Sequence, residues 1–171
     1  YVLDYLTTYF DITILYYNPN IYPKDEYTRR LEEALRLSKE MLLKNNINFI
    51  EEQYNPDEYY NYIKGMENLG EKSQRCYNCY KLRMEHAAKY AKENNYDFFT
   101  TTLSISPHKN AIWINEIGEL LEKKYDIKYL YSDFKKNDGY KKSLEFSKKY
   151  NLYRQTYCGC KFSYEAQKNK V

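Results

Sequence analysis

Ile12-Thr13-Ile14-Leu15-Tyr16-Tyr17 is the stretch that decides the predicted fold, because it joins β-branched and aromatic residues over the length of one buried strand. Three comparable runs follow at 47–50, 98–102 and 127–131, and helical patterns lie between them. Strands that alternate with helices in this way are typical of a parallel sheet. The sequence therefore predicts an α/β fold with a mainly parallel sheet.

Four segments with apolar residues at helical spacing predict the helices. The clearest covers 24–45, and a second begins at Ser106 and Pro107, which suit an N-cap and the first position of a helix. Two more are predicted around 84–91 and after Gly139. Because the chain has 171 residues and shows no linker or internal repeat, we expect residues 1–171 to form one domain.

Polar residues follow three of the predicted strands. In an open α/β sheet, ligands bind beyond the carboxyl ends of the strands, so these residues are candidates for a site at one edge of the sheet. They are Asn18, Asn20, Thr101, Ser104, Ser132 and Asp133. The sequence leaves two interpretations open for Asp133, which would either ligate a metal or take a proton, or else cap a helix.

The composition restricts the class of protein. The chain is 43% hydrophobic and 30% charged, and its apolar stretches are too short to cross a bilayer. A net charge of +3 is compatible with a polyanionic partner but is too small for a nucleic-acid binder driven by charge alone. Four cysteines in two tight pairs, without an export signal, indicate metal or redox residues in a cytoplasmic protein rather than a secreted disulfide framework.

Cys76-Tyr77-Asn78-Cys79 is a Cys-x-x-Cys motif, whose spacing lets two thiolates reach one metal centre or each other. If the helix predicted around 84–91 begins near this motif, its unpaired N–H groups and the positive end of its dipole would stabilise anionic thiolates. The side chains of Arg75 and Lys81 would act in the same direction. The alternative is a pair of structural thiols at the start of a helix.

The second pair, Cys158-Gly159-Cys160, is rarer. A disulfide across one intervening residue closes a small, strained ring and is easily reduced, so the pair suits electron transfer better than structural cross-linking. The glycine supplies the backbone freedom that such a ring requires. The alternative is that all four cysteines ligate one zinc ion.

Three segments of the chain together resemble the epoxyqueuosine reductases of the QueH type, and the resemblance covers most of the chain. The first is Tyr16-Tyr17-Asn18-Pro19-Asn20-Ile21 with Tyr27 and Arg29-Arg30-Leu31. The second comprises Arg75-Cys76, Cys79-Tyr80, Arg83, Asp97-Phe98-Phe99-Thr100-Thr101-Thr102-Leu103, Ser106-Pro107, Ile114-Asn115 and Ile117-Gly118. The third comprises Asp133-Phe134-Lys135, Gly139-Tyr140, Ser143, Ser147, Leu152-Tyr153-Arg154-Gln155 and Tyr157-Cys158-Gly159-Cys160.

The resemblance implies a Rossmann-like, three-layer catalytic domain that removes the epoxide oxygen of epoxyqueuosine at the tRNA wobble position. It implies that Cys76 and Cys79 are half of the ligand set of a [4Fe-4S] cluster, with a second iron ion beside it, and that Cys158 and Cys160 are a redox-active disulfide. An electron donor, which the sequence does not identify, would be a further partner. For the flipped-out nucleoside we expect polar contacts from Asn18, Asn20, Thr101 and Ser104 and stacking on Tyr153.

The chain departs from the family pattern in one respect. The family opens with a strand and a loop containing two adjacent cysteines, before the helix that here begins at Tyr1. We therefore expect the first strand, this loop and the other two cluster ligands to lie outside the sequence given.

Two other interpretations use the same cysteines. In the first, the protein is a zinc-stabilised tRNA-binding module without redox chemistry. In the second, it is a metal-free thiol–disulfide oxidoreductase in which Cys76 and Cys79 exchange with protein substrates. The sequence alone leaves both open.

Overall fold

The computed structural model describes residues 1–169, which divide into two compact units. Among the described residues, unit 1 comprises 1–58 and 142–169, and unit 2 comprises 59–141. The helices are α1 (Val2–Leu6), α2 (Lys24–Glu40), α3 (Pro56–Tyr62), α4 (Gln74–Glu93), α5 (Ala111–Tyr125), α6 (Gly139–Lys149) and α7 (Lys161–Lys168). The strands are β1 (Ile12–Tyr16), β2 (Ile47–Glu51), β3 (Phe98–Phe99) and β4 (Lys128–Tyr129), and a 3₁₀ turn covers Thr102–Ile105.

All four predicted strands are present, and they pair in parallel. In unit 1, β1 pairs with β2 from Ile12 opposite Ile47 to Tyr16 opposite Glu51. In unit 2, β3 pairs with β4 over two residues. The α/β class is therefore confirmed, but residues 1–169 contain two separate two-stranded sheets and no clear three-layer Rossmann sheet. One reason is that β3 stops at Phe99, because the chain then turns into the 3₁₀ segment.

Aromatic side chains form the core of unit 1. The Tyr16 ring meets Tyr27 edge-on at 5.5 Å and stacks on Phe49 at 6.1 Å. The Tyr27 and Tyr54 rings are 4.2 Å apart. The hydroxyl of Tyr54 donates to the carbonyl oxygen of Ile21 at 2.6 Å, so this core also anchors the loop that follows β1.

Unit 2 is built on the packing of α4 against α5. Met84, Ala88, Ile114 and Ile117 are at most 1% exposed in the core between the helices. Gly118 lets α5 approach β4, because a Cβ atom at this position would lie 2.2 Å from Cε1 of Tyr129. The chain therefore requires glycine here for close approach.

The helix boundaries differ from the prediction in two places. Helix α2 ends at Glu40 rather than at residue 45, because Met41 is extended. Helix α5 begins at Ala111, so the predicted start at Ser106 and Pro107 is wrong. The side chain of Asn110 accepts hydrogen bonds from the N–H groups of residues 112 and 113 and is the N-cap. Helix α7 was not predicted.

In the described part of the chain, no helix is long and apolar enough to cross a membrane.

Candidate functional site

The Cys-x-x-Cys motif lies at the amino-terminal end of α4. Ser73 is the N-cap, so Cys76 is the third helical residue and Cys79 follows almost one turn later on the same side of the helix. Cys76 is half-buried and packs against the core of unit 2, and Cys79 is buried. The predicted helix start near the motif is confirmed: Cys76 lies in the first turn of α4, and Cys79 lies in the second turn.

This pair fits half of a four-thiolate ligand set. Two cysteines one turn apart present their sulfurs on one face, which is what a shared metal centre requires. No group of three or more His, Cys, Asp and Glu side chains able to hold a metal occurs among residues 1–169. The neighbouring Arg75 is 3% exposed, and its Nη1 donates to the carbonyl oxygen of Glu67 at 2.8 Å. Arg75 therefore anchors the loop before α4.

Cys158, Gly159 and Cys160 lie in unit 1 in the loop that leads into α7, where Cys160 is the N-cap. All four cysteines of the chain are present as thiols. Gly159 has φ +126°, which a residue with a side chain rarely adopts. The N–H of Cys158 donates to Oγ of the buried Ser163 at 3.0 Å, and the carbonyl oxygen of Gly159 accepts from the N–H of Tyr22 at 2.8 Å.

Arg30 of α2 contacts the same loop. Its Nη1 donates to the carbonyl oxygen of Cys158 and its Nη2 to that of Tyr157, both at 3.3 Å. Its Nε pairs with Oε1 of Glu26 at 2.8 Å, and both side chains are only 11% exposed. The Arg30 guanidinium also lies 5.2 Å from the centre of the Tyr157 ring. Sequence reasoning included Arg30 in a family segment but assigned it no role.

Asn20 is a predicted substrate contact that lies beside this loop. It is 4% exposed, and its Nδ2 lies 3.6 Å from the position that a Cβ atom of Gly159 would occupy. Its Oδ1 has no hydrogen-bond partner within residues 1–169. The structure therefore brings Asn20 to the cysteine loop with an acceptor available. Asn18 is half-buried, and its carbonyl oxygen accepts from the N–H of Ile21 at 3.2 Å in the turn after β1.

Tyr153 is held by acidic side chains of α2. Its hydroxyl lies 3.0 Å from Oε2 of Glu26, and its N–H donates to Oε1 of Glu33 at 2.7 Å. The guanidinium of Arg29 covers its ring at 3.6 Å. One ring face is therefore occupied by Arg29, which restricts stacking of a base to the other face.

The other predicted site residues lie in unit 2, at the ends of β3 and β4. Thr101 is the N-cap of the 3₁₀ turn, and its hydroxyl accepts from the N–H of Leu103 at 3.3 Å. Ser104 is fully buried, and its hydroxyl accepts from the N–H of Phe134 at 3.3 Å. Oδ1 of Asp133 lies 3.1 Å from Nζ of Lys135. The structure therefore joins the Ser104 turn to the Asp133 loop.

Sequence reasoning included Asn115 in a family segment but assigned it no role. It is buried in α5, and its carboxamide donates to the carbonyl oxygen of Ser132 and accepts from the N–H of Ser132, both at 3.1 Å. Its Oδ1 also accepts from the hydroxyl of Tyr129 at 3.0 Å, and burial raises the pKa of that hydroxyl. Asn115 thereby positions the segment that carries Asp133. An amide on the apolar side of a predicted helix was the available signal.

Comparison with known proteins places this arrangement in one family. The family model described as epoxyqueuosine reductase QueH matches residues 1–166. The proteins named epoxyqueuosine reductase QueH in Streptococcus pyogenes and Staphylococcus aureus are 43% and 42% identical to this chain, over 98% and 95% of it. The one in Thermotoga maritima is 36% identical over 98% of the chain and 88% of its own length.

The chain spans 66% of the length of the Streptococcus pyogenes relative and 70% of the Staphylococcus aureus relative. Within that span, the match includes both cysteine pairs and the residues at the ends of the strands. The chain therefore belongs to the epoxyqueuosine reductase QueH family of oxidoreductases.

Proposed function

We propose that the protein reduces epoxyqueuosine to queuosine at the wobble position of tRNA, the last step of queuosine biosynthesis, in the cytoplasm. The observation that carries the proposal is the presence of two cysteine pairs in different settings, one on a helix start and one in a glycine loop. The first setting suits metal ligation and the second suits reversible oxidation. The family match supports the reductase activity.

Cys76 and Cys79 would provide two thiolate ligands of a [4Fe-4S] cluster. Helix α4 suits them to that role, because its regular geometry places the two side chains almost one turn apart on the same side of the helix. When bound, the cluster and an adjacent iron ion supply single electrons and a Lewis acid for the epoxide oxygen. Asp133 is the candidate to ligate that iron or to move a proton, and Lys135 balances its charge.

Cys158 and Cys160 would supply the reducing equivalents of each turnover. Their thiols lose two electrons and two protons as the S–S bond forms. The epoxide takes up two electrons and two protons, both of its C–O bonds break, a carbon–carbon double bond forms and the oxygen leaves as water. A low-potential electron donor then returns the disulfide to the dithiol form. Gly159 gives the loop the freedom to alternate between the two forms.

Each unit contains some of the proposed substrate contacts, described here unit by unit. In unit 1, Asn20 offers a buried acceptor beside the cysteine loop, Asn18 lies in the same turn and Tyr153 offers one ring face for stacking. In unit 2, the Thr101 hydroxyl accepts a backbone hydrogen bond and retains a proton to donate to the nucleoside. Ser104 is fully buried and would act indirectly, by holding the segment that carries Asp133. Enzymes that act on a base turn it out of its stack into a pocket, which requires polar and aromatic groups of this kind.

The test is conversion of the modified nucleoside. The full-length protein is reconstituted anaerobically with iron and sulfide and incubated with a reductant and tRNA that carries epoxyqueuosine. The tRNA is then digested to nucleosides for mass analysis. The proposal predicts a product lighter by one oxygen atom, and unchanged epoxyqueuosine with a reconstituted, iron-loaded protein contradicts it.

Metal analysis of the same preparation separates the competing functions. A brown protein with iron and sulfide is expected for the reductase. A colourless protein with one zinc ion would indicate a tRNA-binding module, and thiol exchange on protein substrates without metal would indicate a thiol–disulfide oxidoreductase.

A further inference from the structure

We propose that Arg30 is a positioning residue for the cysteine loop, and that it stabilises the dithiol form of Cys158 and Cys160. The inference rests on the proposed redox role of this pair. Arg30 is separated from the loop by 127 and 128 residues in sequence, yet two of its nitrogens donate to consecutive carbonyl oxygens of the loop. The planar guanidinium, with its fixed fork of donors, suits such a pair of acceptors.

Glu26 holds the arginine in place. Its Oε1 accepts from Nε of Arg30 at 2.8 Å, so this bond uses a different nitrogen from the two that donate to the loop. The same carboxylate accepts from the hydroxyl of Tyr153. Both charged side chains are only 11% exposed, so the ion pair is largely shielded from solvent. The arginine is thus restrained from both sides.

Gly159 shows how closely the loop approaches Arg30. A Cβ atom at this glycine would lie 2.9 Å from Nη1 of Arg30, so a side chain here would displace the guanidinium from its observed position. The loop is also held by the bonds from Tyr22 to Gly159 and from Cys158 to Ser163. The hydroxyl of Tyr157 donates to the carbonyl oxygen of Tyr22. Burial raises the pKa of that hydroxyl to about 12, so it remains protonated as a donor.

These contacts are made with both cysteines as thiols. An S–S bond across one residue requires the loop to close into a small ring, which moves the carbonyl groups that Arg30 contacts. Hydrogen bonds that are present in one form and weakened in the other shift the equilibrium toward the first form. Arg30 therefore favours the dithiol form. As a result, the disulfide is a stronger oxidant than it would be without the Arg30 contacts.

The test is the thiol–disulfide equilibrium of the pair, measured in the full chain with mixtures of reduced and oxidised dithiothreitol. Thiols are trapped by alkylation, and the peptide that carries both cysteines is quantified by mass spectrometry. When the protein disulfide forms, the protein dithiol gives two electrons and two protons to oxidised dithiothreitol, which becomes reduced. We expect Arg30→Met to shift the equilibrium toward the protein disulfide by about tenfold, which corresponds to about 30 mV for a two-electron couple.

Two further variants keep the test decisive if Arg30→Met folds poorly. Arg30→Lys retains the charge but cannot donate in the fork geometry, and Glu26→Gln retains the arginine but weakens its restraint. Both should shift the equilibrium in the same direction by a smaller factor. Arg36→Met is the matched control, because Arg36 lies on the same helix, pairs with Glu33 and Glu40 and donates to the carbonyl oxygen of residue 150. It should leave the equilibrium unchanged.

The outcomes separate this inference from the proposed function. An equilibrium that is unchanged, or shifted toward the dithiol, in folded Arg30 variants overturns the role of Arg30 alone. If Cys158 and Cys160 of the unaltered chain remain thiols under all mixtures, both the redox role of the pair and the role of Arg30 are refuted. Removal of the epoxide oxygen from epoxyqueuosine in tRNA is measured in a separate assay and does not enter this test.

Discussion

The two cysteine pairs reach their geometry by different physical routes. Cys76 and Cys79 lie on one regular helix, so their spacing in sequence already sets their relation in space. Cys158 and Cys160 lie in a loop with one residue at positive φ, and the loop is held by Arg30, Tyr22 and Ser163. A local motif suffices for the first pair, whereas the second depends on residues far away in sequence. Variants of each region test this difference.

The largest expected effect is from removal of the helical pair. Cys76→Ser should lower the iron retained after anaerobic reconstitution by more than about tenfold, because a serine hydroxyl is a poor ligand for iron–sulfur clusters. Iron and sulfide analysis with visible absorption measures the loss. The control is Cys158→Ser, which should keep its iron. An unchanged spectrum in the Cys76 variant would eliminate the ligand role of that residue.

Removal of the loop pair should give the opposite pattern. Cys160→Ser should lower the rate of nucleoside conversion on the order of 10³-fold, because one thiol cannot form the internal disulfide. Metal content should equal that of the unaltered protein. The rate is read from the formation of queuosine by mass analysis. Multiple turnovers at a normal rate in this variant would contradict the redox role of the loop.

Gly159→Ala tests whether the loop requires its tertiary contacts. The new methyl group would approach Nη1 of Arg30 to 2.9 Å, and a backbone conformation at φ +126° costs about 1–3 kcal/mol for a residue with a side chain. We expect a loss of stability of that size in chemical denaturation and an altered thiol–disulfide equilibrium.

Gly65→Ala is the control for Gly159→Ala. Gly65 also has positive φ, +83°, but it has no atom within 4 Å of its Cβ position. Gly65→Ala should lower the stability of the protein without changing the thiol–disulfide equilibrium of Cys158 and Cys160. Equal effects of the two substitutions on that equilibrium would argue against a specific contact with Arg30.

Gly118→Ala is the corresponding test in unit 2. Alanine favours a helix by about 1 kcal/mol over glycine, but its methyl group would overlap the buried ring of Tyr129 at 2.2 Å, and overpacking typically costs about 1–3 kcal/mol. We expect a net destabilisation of about 1 kcal/mol in urea unfolding. Gly70→Ala, where the space is open, should be neutral or slightly stabilising. A stabilised Gly118 variant would show that Tyr129 can move aside.

The smallest effect concerns pH. The hydrogen bond from Arg36 holds the pKa of Glu33 below its ordinary value of 4.5, and the bond from the N–H of Tyr153 acts in the same direction. A carboxyl group with a lowered pKa contributes stability above the pKa of the unfolded chain, and this contribution is lost as the pH falls through the folded value. Glu33→Gln should therefore reduce stability at neutral pH and converge on the unaltered protein in acid. Unfolding free energies are measured for both proteins over a range of pH. A difference between them that stays the same at all pH values would contradict this prediction.

Several features could be predicted because their causes are local. The runs of β-branched and aromatic residues predicted all four strands, and their alternation with helices predicted parallel pairing. The Cys-x-x-Cys spacing and the helix behind it were likewise readable from neighbouring residues. Hydrophobic periodicity and backbone geometry act over a few residues, so a single sequence contains them.

Other features arise only in the folded chain. The division of the strands into two short sheets depends on where the chain leaves β3, and the start of α5 depends on the Asn110 side chain rather than on Pro107. The position of Asp133 relies on Asn115, and the cysteine loop relies on Arg30. The sequence by itself determined the strands, the helix that carries the first cysteine pair and the family resemblance, because these follow from local chemistry. Only the tertiary structure decided the conformation of the loop that carries the second pair, because Arg30 and Tyr22, which hold it, lie more than a hundred positions away in sequence.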